Sequence, residues 1–491
     1  MDIPLTPFAE WLPDLPPYNN PGVLVAKNCT PAAIGYEPFP RAETYAAAPT
    51  GASLPVSGGA GFLSPSGVGV SFAGDVSKLY RLDASTQWAD ASRVSGYTTG
   101  DSESWRFALY SNLALATNFS DPVQVWPLSG PQTEWADLAA TAPRARYMAV
   151  VKDHLVLGYT NDSADDQVNN RVWWSPIGQP DDNDWGNVNK LSDFQDLSQG
   201  NAVTGLVGGE FGLIFMDTAI YRMTFTGDAS IYQFDAISVD KGCIAPGSVA
   251  KQGGVTYFLS DDGFYVTDGS SLTPIGANKV DRWFFRRLSG NDVRDVRAVI
   301  DPARKLYIVG YPAQGSQAIN EALVYRYDIG RWSYIETGLQ AFARLVSPGY
   351  TLEGLNDVSM SIDALPASLD DRIWRGGAIQ LGGFASDGTF KSLTGPPMTA
   401  TVDSAEVSPF AQARSRLRRV RPIADGAMMV SDGVRTLPTE LPTWSDPVPV
   451  DARGRAAFRA DARFHRIRCE ISGDWTYAHG FEAEATGVGR R

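Results

Sequence analysis

The chain has 491 residues, too many for one ordinary hydrophobic core, and its 43% apolar and 11% aromatic share excludes a disordered chain. Its net charge of −13 is uneven: residues 411–491 hold fourteen Arg against ten acidic residues, a balance of +4, which leaves −17 on the remainder. An acidic body of this kind grips nucleic-acid phosphates poorly, and three scattered cysteines (Cys29, Cys243, Cys469) argue against a disulfide framework and a Cys-based zinc site.

The first seventeen residues, MDIPLTPFAEWLPDLPP, place an acid and prolines where a secretory signal needs a basic patch and an apolar run. No apolar stretch approaches the ~20 residues of a membrane span. Residues 1–50 read as an extended arm turned by Pro13, Pro16, Pro17, Pro21, Pro31, Pro38 and Pro40. Residues 51–383 carry a repeat. Its clearest copy is GVTYFLSDDGFYVTDG, Gly254 to Gly269, an apolar run, a polar turn and a second apolar run. Polar turns between two such runs recur near Ser66, Ser111, Lys152, Gly208, Gln252, Asp301 and Ser347, separated by 41 to 56 residues.

A four-stranded propeller blade needs about 40–50 residues, whereas apolar positions at helical spacing are almost absent. The expected fold is therefore all-β, a β-propeller of about seven blades. The weak first and last copies leave six to eight open. A helical or irregular connector is expected near 357–377. From 384 to 491, MTATVDSAEVS, RLRRVRPI and FHRIRCEIS alternate charged and apolar residues, which predicts a C-terminal β-domain, a sandwich or barrel.

Catalytic machinery is not visible. The chain has three histidines: His154 reads as a hairpin-edge residue, and His465 and His479 lack metal-ligand spacing. There is no nucleophile elbow, P-loop or dinucleotide fingerprint, so no catalytic residue, metal or cofactor is assigned. The acidic runs NDSADDQVNN (161–170) and PDDNDW (180–185) have oxygen ligands for calcium without EF-hand order, and read better as solvated loops. A sugar-cleaving propeller's repeated Asp-box turn is matched once and in part, at Ser386 to Phe390. No Trp is followed by Asp, so the Trp-Asp repeat of cellular scaffolds is absent.

Three stretches carry a resemblance: LPPYNNPGVLVAKNCTPAAIGYEPFP (15–40), RVWWSPIGQPDDNDW (171–185) and SDDGFYVTDGSSLTPIGANKVDRWFF (260–285), with YRYDIGRWSYIE after them. The chain resembles the propeller-type tail tube proteins of short-tailed bacteriophages, the nozzle and hub (packaged-DNA stabilisation) proteins. The resemblance implies a non-enzymatic virion component, assembled in the host cytoplasm. It implies a self-associated ring, usually a hexamer, that extends the DNA channel below the portal and adaptor. Its partners would be the adaptor, fibres or tailspikes, and genomic DNA passing without sequence-specific binding. The rival reading is a carbohydrate-binding or cleaving propeller acting in host recognition. Candidate interface residues are Tyr18, Asn19, Pro21 and Tyr36 in the arm, with Arg414, Arg416, Arg418, Arg419, Arg421, Arg466 and Arg468 as second choices. For these arginines a solvated strand face is an equal reading.

Overall fold

Short apolar runs broken by Gly, Asn and Asp have nowhere to bury one face except against another strand, and the chain folds accordingly. The computed structural model describes residues 2–228, 230–290, 293–349, 361, 374, 376–410 and 413–488. Five short strands come first: β1 (Asp2–Pro7), β2 (Val23–Lys27), β3 (Cys29–Pro31), β4 (Tyr36–Pro38) and β5 (Glu43–Ala46).

A series of four-stranded antiparallel sheets follows. Sheet one is β6 (Gly58–Leu63), β7 (Gly69–Gly74), β8 (Leu79–Leu82) and β9 (Trp88–Asp90). Sheet two is β10 (Arg106–Tyr110), β11 (Leu113–Thr117), β12 (Gln124–Pro127) and β13 (Ala136–Asp137). Sheet three is β14 (Arg144–Val151), β15 (His154–Asp162), β16 (Asp166–Trp174) and β17 (Asp193–Asp196). Sheet four is β18 (Val203–Val207), β19 (Gly212–Met216), β20 (Ile220–Phe225) and β21 (Tyr232–Ser238). Sheet five is β22 (Ala250–Gln252), β23 (Val255–Leu259), β24 (Phe264–Thr267) and β25 (Leu272–Pro274), followed by helix α1 (Asp281–Arg287). Sheet six opens with β26 (Arg297–Asp301), β27 (Leu306–Tyr311), β28 (Glu321–Arg326) and β29 (Arg331–Glu336). Sheet seven is β30 (Leu339–Val346), β31 (Ile379–Ala385) and β32 (Phe390–Ser392), with β5 as its outer strand.

The seven turns read from the sequence fall at the junction of first and second strands in the seven sheets. Ser111 and Lys152 hold positive φ there, at 53° each. Each gap between consecutive sheets, including the one from sheet seven back to sheet one, holds its own apolar cluster. First strands neighbour first strands, β30 against β6 and β6 against β10, so they form the inner wall. The arrangement is a mostly β structure consistent with a β-propeller.

The last strands are β33 (Ala400–Ser404), β34 (Ser415–Ala424), β35 (Ala427–Arg435), β36 (Thr443–Trp444), β37 (Val448–Pro449), β38 (Ala456–Ala462), β39 (Phe464–Ser472) and β40 (Ala478–Gly487). They form two sheets. One runs β3-β4-β40-β34-β38 with β1 on β40; the other runs β2-β33-β39-β35-β36 and continues from sheet six, because β2 lies parallel to β29.

Two expectations about boundaries are corrected. Residues 1–50 are not a free arm: β1 to β4 belong to the C-terminal sheets and β5 completes sheet seven. The physical reason is burial, since Phe8, Trp11, Ala26 and Tyr36 are fully enclosed in one core with Trp332, Phe284 and Trp475. The C-terminal unit does not begin at 384. β31 and β32 pair with β30 and β5, and the new sheets start at Ala400. Most of the expected 357–377 connector lies outside the described residues.

Candidate functional site

β34 alternates Leu417, Val420 and Pro422 inward with Arg416, Arg419 and Arg421 outward. Its register slips between Leu417 and Arg419, so Arg418 also emerges on the solvent side. The Arg416 guanidinium donates to both oxygens of Asp461 at 2.6 and 2.7 Å, holding that carboxyl below its ordinary range. Arg419 reaches Glu484 at 3.1 Å, Arg421 reaches Glu482 at 3.7 Å, and Arg414 donates to the Asp461 carbonyl at 2.9 Å. Among the described residues, Arg418 and its neighbour Arg459 on β38 have no carboxylate within 4.0 Å. The face therefore presents five arginines against three carboxylates. Each exposed pair contributes only about 0–1 kcal/mol to the fold.

Arg466 and Arg468 lie elsewhere, on β39, half-buried and paired within the chain. Both clamp Asp403, which is fully buried on β33: Arg466 Nη2 at 2.7 Å, Arg468 Nε at 2.8 Å and Nη2 at 2.9 Å. Their guanidiniums also lie over Trp444, 5.5 and 3.9 Å from its ring. Tyr36, by contrast, is corrected as an interface residue because it is fully enclosed within its own chain. Its ring is buried and its hydroxyl donates to the Ala9 carbonyl at 2.9 Å. Tyr18, Asn19 and Pro21 do stand at the surface. Tyr18 is 54% exposed and rests edge-on against Phe464 at 5.4 Å.

The opposite charge is concentrated on sheets three and four. Residues 161–240 hold thirteen Asp and Glu against Arg171, Lys190 and Arg222. The acidic runs weighed for calcium face cations instead. Asp162, Asp165 and Asp196 close on Arg171 at 2.6–3.0 Å, and Asp182 and Asp184 on Lys190 at 2.5 Å.

Other polar groups were not legible in the sequence. His465 Nδ1 lies 2.9 Å from Asp432 Oδ2, and its Nε2 lies 3.1 Å from Ser415 Oγ. This is the connectivity of a hydrolytic triad, yet Ser415 and Asp432 are 0% and His465 1% exposed, so no substrate reaches the hydroxyl. The array ties β34, β35 and β39 together. Its members lie 33 and 50 residues apart, with no local signal. His154 opens β15 opposite Val151 at the hairpin turn, as expected, but is fully buried: its Nδ1 is 2.8 Å from the Ser175 carbonyl and burial pushes its pKa down.

The SDDGFYV…KVDRWFF wording also has a structural basis. Asp14 accepts from the Arg282 and Trp283 amides at 3.0 and 2.7 Å, capping α1 from the other end of the chain. Asp281 turns back into sheet five and accepts from the Phe264 amide at 3.2 Å. A Cβ on Gly263 or Gly276 would fall 2.2 or 1.9 Å from that carboxylate, so both positions require glycine.

No family model matches the chain, and no curated protein matches it. Among solved structures it is similar to the extracellular domain of a hybrid two-component system from B. thetaiotaomicron, at 11% identity and a TM-score of 0.39, over 80% of this chain and 44% of that one. It is also similar to the Neurospora crassa Pan2 WD40 domain, at 9% identity and a TM-score of 0.34, over 56% of this chain and 78% of that one. The chain thus spans less than half of the sensor domain's length.

Proposed function

We propose that this chain is a structural component of a short-tailed phage tail, a nozzle or hub ring that extends the DNA channel and helps retain and then conduct the genome. In this reading the seven sheets are the blades of a β-propeller, and the C-terminal sheets are a sandwich fused to its flank. The observation that carries the reading is the polarity of the surface. The arginine face of β34 and β38 sits on the unit joined to sheet six. The thirteen-carboxylate sector lies two and three sheets around the ring, on sheets four and three. Different surfaces of opposite sign on one protomer favour head-to-tail contacts, and such contacts close into rings when the rotation permits. The remaining acidic surface would line a channel to which DNA does not adhere.

Electron microscopy of the purified full chain, with light scattering from low to high salt, tests this. Rings that weaken as salt screens the charges are expected. A chain that stays monomeric at every salt concentration and is absent from purified tails refutes it.

A further inference from the structure

We propose, on the basis of the ring reading, that the loop at 436–442 of one copy of this chain seats Leu441 in a cavity of a second copy, between its sheets six and seven. Leu441 is 89% and Leu437 53% exposed, on the turn that joins β35 to β36. Their own chain holds that turn in shape. Arg435 Nη1 donates to the Pro438 and Glu440 carbonyls at 2.6 and 3.0 Å, and Arg435 Nη2 is anchored on Glu406 at 2.6 Å. The Glu440 carboxylate accepts from the Thr436 and Leu437 amides at 3.0 and 2.9 Å. A leucine presented on a braced loop loses little further freedom when it docks.

The cavity measures about 190 Å³ and is floored by Phe39, Ile335, Leu339 and Leu393, members of one apolar cluster. An apolar cavity of roughly 150 Å³ takes up a benzene ring, so this one has room for the smaller side chain of leucine. Its lining also carries Arg41 and Lys391, neither of which has a carboxylate within 4.0 Å among the described residues. Glu336, on the same wall, is already paired with Lys27 at 2.6 Å. Glu440, next to Leu441 in the sequence, brings the complementary negative charge.

Loop and cavity lie at opposite ends of one sheet. Near the start of β35, Met428 stands opposite Ile471, which stands opposite Ala400, two residues from the cavity residue Met398. Arg435, at the far end of β35, leads directly into the loop. β35 has nine residues, so about 27 Å separates its ends, and the loop does not fill the cavity of its own chain. An apolar knob at one end of a protomer and a matching cavity at the other is the layout of a head-to-tail contact.

Sedimentation velocity of the full chain tests the contact with wild type, Leu441→Ser and Gly338→Trp. Gly338 lines the cavity and a Cβ on it would meet nothing within 4 Å, so a large side chain there obstructs the cavity without displacing backbone. Wild type is expected to self-associate, and each variant alone to do so at least about tenfold more weakly, the effect of one buried leucine. Mixed, the two variants are expected to pair one to one and stop there, because one keeps a working loop and the other a working cavity. Circular dichroism and melting temperature establish folding; if Gly338→Trp misfolds, Leu441→Ser, altered at an exposed position, decides alone. Association of folded Leu441→Ser at wild-type strength overturns this contact and leaves the ring reading standing, as does failure of two folded, dissociated variants to pair. A wild-type chain that stays monomeric at every concentration and salt overturns both, and one that instead captures a different tail protein through Leu441 overturns the second copy as the occupant.

Discussion

Asp403→Ala removes the one carboxylate that two arginines share inside the C-terminal sheets. Asp403 is fully buried, whereas the side chains of Arg466 and Arg468 are 16% and 30% exposed. Taking one partner from a buried ion pair costs roughly 3–5 kcal/mol because the remaining charge has lost its water without compensation. Both guanidiniums touch solvent and rest on Trp444, which places the cost near the lower end, about 3 kcal/mol. Unfolding entropy is about 2.1 cal/mol/K per residue, so that loss lowers the melting temperature by about 3 °C if the whole chain melts as one unit. It lowers it by about 12 °C if β1–β4 and β33–β40, roughly 120 residues, melt alone. The core shared by Trp11, Trp332 and Trp475 favours the smaller shift in a single transition. Differential scanning calorimetry of wild type and variant measures both the shift and the number of transitions. An unchanged or raised melting temperature would refute the assignment of Asp403 as the structural counter-charge.

Asp281 supplies a pH dependence. Burial pushes its carboxyl from the usual 3.8 to about 7, so the folded chain holds a proton that the unfolded chain has released between those values. This group's contribution is therefore complete below about pH 4 and is lost as pH rises through about 7. Asp281→Asn is expected to flatten the fall in melting temperature across that window; identical profiles would refute the assignment. Asp14→Ala removes the cap from α1 and is expected to cost about 0.5–2 kcal/mol, read as a lower denaturant midpoint at unchanged slope.

The repeat was legible because each sheet spends its polar residues at the first turn. Ser111-Asn112 and Lys152-Asp153 sit between apolar runs, and Ser111 and Lys152 take a left-handed backbone that turns the chain there. The fate of the first fifty residues was not legible. Seven prolines suggested an extended segment, which is correct locally, but β2 and β5 take partners more than 300 residues away, as in Lys27 opposite Thr401 and Ala46 opposite Phe390. The same limit applies to the candidate site. The arginines of β34 were visible as a run, while the fact that Arg466 and Arg468 converge on Asp403 depends on the pairing of β33 with β39. Helix α1 was missed because seven residues are too few to show a helical period.

The outer strand of sheet seven, taken from residues 43–46, fixes the order of events during synthesis. β5 leaves the ribosome early and waits for β32, roughly 350 residues later. At about 5–20 residues per second that interval is about 20–70 s. Throughout it, the part of the core around Phe8, Trp11, Val23 and Tyr36 that comes from β33–β40 is missing, which leaves these side chains available to chaperones or to another nascent chain. Slow translation near residue 390 would prolong that vulnerable period, while later synthesis can no longer leave the ring open.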